Sequence, residues 1–216
     1  MKRSHKVVGI AALSVFGFAV VFILYWLLAT KVFGHRYVVD LSLSRSFTID
    51  MPFVPLRKIL VQTDAASDII NAGEHSQLIS KTTSDRQGHV NHILAPFKSW
   101  EGSEVNALML QITDPYIGTR NAPFTQHVSV TPGSIHSVIK LNQPEGPLLG
   151  YTVKTHIGGD GNSSKFDTTL EMKIDTPAPW LTHWFARMRV RNTMRRTLRA
   201  QEAQIEAAVK KHGGQF

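Results

Sequence analysis

The chain has 216 residues, no cysteine, and 24 Lys and Arg against 16 Asp and Glu, for a formal net charge of +8. Without cysteine there are no disulfide staples and no thiol chemistry or thiolate metal ligation. The charge sits at the two ends: residues 31–176 carry 13 basic and 14 acidic residues, whereas residues 177–216 carry eight basic and two acidic. A nearly neutral body gives the high overall basicity no generic nucleic-acid meaning.

The first element is an apolar run from Val7 to Ala29, 23 positions with no charged residue. At 1.5 Å rise per residue a helix of that length spans the ~30 Å hydrocarbon core of a bilayer. Lys2, Arg3 and Lys6 precede it, and Tyr25, Trp26 and Lys31 mark its far end with interfacial residue types. The run exceeds the ~7–15 residues of a secretory signal, and Leu27-Leu28-Ala29-Thr30 makes a poor small-residue cleavage site. The expectation is a basic flank over 1–6, a retained single-pass transmembrane anchor over 7–30, and one domain over 31–216. The positive-inside bias then favours a membrane localisation with an extracytoplasmic body, on the periplasmic side of the inner membrane in a bacterium.

Tyr37–Asp50 alternates, with Val39, Leu41, Leu43, Phe47 and Ile49 on one parity and polar residues on the other, which predicts a half-buried strand. Arg45 breaks the apolar parity. Pro55 opens a short helix, because a first-turn residue needs no amide hydrogen for the ladder. Strand-like pieces follow at Gln77–Thr83, His89–Leu94, Ala107–Thr113, Thr125–Val130, Ile135–Leu141, Leu149–Ile157 and Phe166–Ile174. Gly158-Gly159-Asp160-Gly161-Asn162 joins the last two as a hairpin turn; strands flank it on both sides, so it is no phosphate loop. A long helix is expected over about 180–211. Leu181, Trp184, Phe185 and Met188 form one apolar stripe on it, and Val190, Met194, Leu198, Ile205 and Val209 a second, rotated by over 90° at 100° per residue.

One strand, a short helix, a run of antiparallel strands and a long C-terminal helix make an α+β chain. Thr168-Thr169-Leu170-Glu171-Met172-Lys173-Ile174, the Pro-x-Pro turn, Trp184-Phe185 and the Arg-rich helix resemble the last strand and helix of the START-like (SRPBCC) superfamily of polyketide cyclases and lipid-transfer domains. Ser44-Arg45-Ser46-Phe47-Thr48-Ile49-Asp50-Met51-Pro52 resembles its first strand and the entry to its first helix. The resemblance implies a helix-grip fold, a curved antiparallel sheet of about seven strands around the long helix, here preceded by the transmembrane helix. It also implies an apolar cavity for a hydrophobic small molecule or lipid. Leu110, Tyr151, Val153, Leu170, Met172, Trp184, Phe185 and Met188 are the expected lining.

Arg45 has two readings, a polar anchor for a ligand head group or a structural ion pair, of which the second is the more ordinary. Arg187, Arg189, Arg191, Arg195, Arg196 and Arg199 read as a solvated helix face or as contacts to anionic lipid head groups; no aromatic-interleaved basic motif supports nucleic acid. His89-x-x-His92 has the nearest metal-ligand spacing, but alternate strand positions and the lack of a neighbouring acid argue against it. No G-x-S-x-G elbow is present. The expectation is therefore a membrane-anchored binding domain without catalytic residues, metal or cofactor, whose partners are the membrane and an apolar ligand. A cyclase- or hydrolase-type enzyme using the same cavity, and a scaffold for a protein partner, are the rival readings.

Overall fold

The computed structural model describes residues 19–28, 36–62, 76–87, 102–114 and 118–212. Helix α1 covers 19–28, followed by β1 (Arg36–Ile49), α2 (Phe53–Gln62), β2 (Ser76–Gln87), β3 (Gly102–Asp114), β4 (Gly118–Val130), β5 (Ser134–Leu141), β6 (Leu148–Asp160) and β7 (Ser163–Pro177). A 3₁₀ turn (Trp180–Thr182) leads into the long helix α3 (His183–His212). The seven strands form one antiparallel sheet in the order β1-β7-β6-β5-β4-β3-β2. Sequential hairpins build β2 to β7, and β1 returns to pair with β7 from Arg36 opposite Pro177 to Ile49 opposite Ser164. A curved sheet with α3 laid against β1 and β7 is the helix-grip arrangement.

Alternation decides which face is dry. On β7 the side chains of Ser164, Phe166, Thr168, Leu170, Met172, Ile174 and Thr176 are all buried, while their odd-numbered neighbours point outward. α2 begins at Phe53, two residues before Pro55, and turns Phe53, Leu56 and Ile59 into the core. The β6–β7 hairpin is tighter than its glycine-rich sequence implies. The ladder runs on to Asp160 opposite Ser163, leaving only Gly161-Asn162 as the loop, with Gly161 at φ 63°. Gly158 and Gly159 therefore belong to β6. A Cβ on Gly159 would lie 3.2 Å from the Phe53 Cβ, so its bare backbone lets α2 pack close against the strand.

One expectation needs correction. Trp184, Phe185 and Met188 do not pack against the concave sheet: with Leu181 they stand on the outer side of α3, Trp184 at 66 % exposure. The buried stripe is the second one, Val190, Met194, Leu198, Ile205 and Val209, extended by Ala186 and Ala208. A straight helix can bury one stripe against one sheet, and the stripe running the length of α3 buries more than one confined to its first turns. α1 spans ten residues, about 15 Å at helical rise, and among the described residues no helix is long and apolar enough to cross a membrane. Most of the expected run, residues 7–18 and Ala29, lies outside the described residues, as does the expected strand His89–Leu94.

Candidate functional site: a polar belt across the concave face

The inward parity of the strands is mostly apolar, with polar exceptions towards strand ends such as Ser164 and Thr176 of β7, and at one mid-sheet level every strand contributes a polar side chain. Cross-strand register sets Thr83 of β2 opposite Asn106 of β3, and Asn106 opposite Gln126 of β4. On the other half Ser137 of β5 faces Thr155 of β6, Thr155 faces Thr168 of β7, and Thr168 faces Arg45 of β1. The step from Gln126 to Ser137 is diagonal, since Ser137 itself stands opposite Val128. Glu202 of α3 closes the row by pairing with Arg45, whose Nε donates to Glu202 Oε2 at 2.6 Å. A second contact runs from Arg45 Nη2 to the same oxygen.

This belt separates two apolar lobes. One holds Val39, Leu110, Phe124, Leu170, Met172 and Met194. The other holds Phe53, Leu56, Ile135, Ile157, Phe166 and Ile205 under α2. A polar row between them is tolerated only if its groups are satisfied, because an unpaired buried group costs about 1–3 kcal/mol. Satisfaction is uneven along the row. At one end the Thr83 hydroxyl donates to Asn106 Oδ1 at 2.8 Å, and Asn106 Nδ2 donates to Gln126 Oε1 at 3.2 Å. At the other end lies the Arg45–Glu202 pair. The middle is slack: Gln126 Nε2 reaches Ser137 Oγ at 3.5 Å, and the Thr155 and Thr168 hydroxyls lie 3.4 Å apart. Contacts at that limit leave hydroxyl and amide capacity over for a third group. Ser137, Thr155, Ile139 and Tyr151 point inward from central strands and are only partly buried.

Of the expected lining, Leu110, Val153, Leu170 and Met172 are buried in the first lobe. Tyr151 packs edge-on against Phe124, ring centroids 5.6 Å apart, and burial pushes its phenol up to about 12. Arg45 takes the structural partner, Glu202, while remaining part of the belt. Arg187, Arg189, Arg191, Arg195, Arg196 and Arg199 are all exposed. Thr83, Asn106, Gln126, Ser137, Thr155 and Thr168 were not singled out from the sequence. Their signal is the one that marked Arg45, a polar residue on the apolar parity of a strand.

The outer face carries a second row at the same register. The Ser46 hydroxyl donates to Asp167 Oδ1 at 2.5 Å, Lys165 Nζ lies 3.3 Å from the same carboxylate, and beyond it the His156 and His136 rings meet with Nδ1 atoms 3.2 Å apart. The Ser46 hydrogen bond, then the Lys165 contacts, hold the Asp167 carboxyl below its ordinary range. Ser46 donates to a carboxylate and not to an imidazole, so the Ser–His pairing that commonly activates a serine nucleophile is not formed at Ser46. Among the described residues no three His, Asp or Glu side chains converge as a metal site; His89 and His92 lie outside them.

No family model matches the chain, and no curated protein matches it. Solved structures similar to it include a protein from Thermus thermophilus, at 12 % identity over 79 % of this chain and 98 % of that one, TM-score 0.48. Another is the Zhui aromatase/cyclase from Streptomyces sp. R1128, at 10 % identity over 81 % and 96 %, TM-score 0.47. A START superfamily protein from Mycobacterium smegmatis aligns at 14 % identity over 77 % and 97 %, TM-score 0.40. Strand order and register define the helix-grip arrangement here independently of these superpositions.

Proposed function

We propose that the concave face binds a hydrophobic or amphipathic small molecule or lipid without chemistry, in a domain tethered to a membrane by the apolar run before it. The observation that carries the reading is the slack centre of the belt. An apolar body placed against Leu110, Ile139, Tyr151, Val153 and Met172 would bring a polar group to Ser137, Thr155 and Thr168, where hydrogen-bonding capacity is left over. Those groups are neutral hydroxyls. The ionisable side chains of the belt, Arg45 and Glu202, lie at one end as an ion pair. That division favours holding a ligand over acid–base catalysis. Retention of residues 7–30 and an extracytoplasmic body belong to the same proposal and rest on the length of the run and its basic N-terminal flank.

The test is extraction and mass spectrometry of small molecules that co-purify with the detergent-solubilised full chain, followed by titration with a fluorescent apolar probe. Thr155→Val keeps shape and removes the hydroxyl, and loss of one neutral hydrogen bond of ~1 kcal/mol weakens an amphipathic ligand about fivefold. An absence of both enriched molecules and probe binding would shift the reading to a scaffold.

A further inference from the structure

We propose that the outer face of the start of α3 docks the domain onto the surface of an anionic lipid bilayer. Trp180, Leu181, Trp184, Phe185 and Met188 are consecutive neighbours on that face and expose 68, 44, 66, 38 and 43 % of their surface. Scattered exposed apolar residues are ordinary, but five large ones gathered on one short stretch mark an interaction site. Tryptophan, with an apolar body and a polar N–H, suits the head-group level of a bilayer.

Charge complementarity selects the occupant. At 100° per residue Arg195 and Arg199 fall on the same outward side as Trp184 and Met188, about 16–22 Å further along the axis. Arg191 and Arg196 flank them, and all four are exposed. Nearer the patch, the Arg189 guanidinium lies 5.6 Å from the centre of the Phe185 ring. An apolar foot followed by a band of arginines matches an acyl layer followed by phosphates, where basic residues near an anionic surface strengthen binding.

Position supplies an independent argument. Tyr37, at the start of β1, stacks on His183 at the start of α3 with ring centroids 3.8 Å apart, and Arg36 pairs with Pro177 in the ladder. The patch is therefore at the end of the domain where the chain arrives from the apolar run. Six residues lie between Ala29 and Arg36, seven steps along the chain with a reach of at most about 25 Å. The first apolar lobe, which includes Ala178 and Ala186, lies at this same end. Docking would turn that lobe towards the lipid and hold the polar belt away from it. The inference rests on the proposed anchor for the bilayer's position, not for the patch's own insertion.

The experiment uses the full chain in vesicles of phosphatidylcholine and phosphatidylglycerol, with lipids brominated at chosen acyl depths as tryptophan quenchers. Trp26→Phe with Trp100→Phe leaves Trp180 and Trp184 as reporters; Trp100→Phe, Trp180→Phe and Trp184→Phe together leave Trp26 to report the anchor. The expected result is quenching of the patch by shallow bromines, at least halved when phosphatidylglycerol is omitted or when Arg191, Arg195, Arg196 and Arg199 are changed to Gln. Quenched Trp26 with an unquenched patch overturns docking and leaves the anchor standing. A quenched patch with unquenched Trp26 upholds docking and overturns the anchor. Quenching of neither overturns both. Patch emission that is shifted to the blue but insensitive to brominated lipid, with a Trp184→Cys variant crosslinking between copies, replaces the bilayer by a second copy of the chain.

Discussion

The two apolar stripes of α3 are made of the same kinds of side chain and meet opposite fates. Val190, Met194 and Leu198 are 1, 0 and 3 % exposed, whereas Trp184 and Met188, one or two turns earlier, stand in the open. Periodicity announces both stripes equally. What separates them is the sheet: β1 and β7 offer α3 one apolar surface, and the stripe that continues to Val209 meets it along the helix. The residual stripe is richer in tryptophan than a core needs. A side chain's type says that it will be buried by something; only the partner surface says by what.

Replacing one residue from each stripe gives the largest expected contrast. Met194→Ala removes a fully buried side chain and should cost about 2–5 kcal/mol in urea or thermal unfolding. Trp184→Ser should stay within roughly 0.5 kcal/mol, as exposed positions do. Equal losses would mean that the outer stripe is covered by protein and would break the comparison.

Much of the fold was legible for the same reason that the helix was not. Strands β1, β4, β5, β6 and β7 alternate, and alternation fixes both the element and its dry face. Where strand ends lie was less legible: β3 begins at Gly102, five residues before Ala107, so Asn106 fell outside the expected strand and its inward polar side chain went unnoticed. Gln126, Ser137, Thr155 and Thr168 sit inside expected strands, but each looks like an isolated blemish. They become a belt only when register aligns strands up to 123 residues apart, as with Arg45 and Thr168. Register is a tertiary quantity, set by hairpin loops and by the return of β1, and a single strand does not contain it.

The closure of that belt onto the inward stripe sharpens the contrast at an intermediate scale. Arg45→Met leaves the Glu202 carboxylate desolvated without its partner, and should destabilise by about 1–3 kcal/mol. Adding Glu202→Leu should recover most of that loss, since an ion pair of this kind is often replaceable by packed apolar groups. A double variant as unstable as the single one would show that the pair does more than neutralise itself. Outward pairs such as Lys154 with Glu171, at 2.6 Å but about half exposed, should matter far less.

Titration extends the comparison from the helix to the two faces of the sheet. Tyr151, inward on β6, has its phenol pushed up to about 12 by burial against an unfolded value near 10. The folded state therefore holds its proton longer. This stabilisation of the neutral form is fully present below pH 10 and is lost as the pH rises towards 12. Ultraviolet titration should show a tyrosinate appearing near pH 12 that is missing from Tyr151→Phe, and Tyr151→Phe should flatten the alkaline fall in stability. A Tyr151 that ionises near pH 10 would mean that the interior is wetter than its apolar lining implies.

The smallest effect lies on the outer face, where Asp167 has a depressed carboxyl instead of a raised phenol. The Ser46 hydroxyl is the principal cause, and the Lys165 ammonium adds to it. A depressed acid contributes stability above its unfolded pKa and loses it as the pH falls through the folded one, so this contribution disappears only in strong acid. With the side chain 40 % exposed, solvent screening keeps it small. Carbon-detected NMR titration of the Asp167 carboxyl should move up towards 3.8 in Ser46→Ala and by less in Lys165→Gln. The reverse ranking would assign the shift to charge and not to the hydrogen bond. It would also mean that the outer row is held by salt-sensitive attraction between exposed side chains.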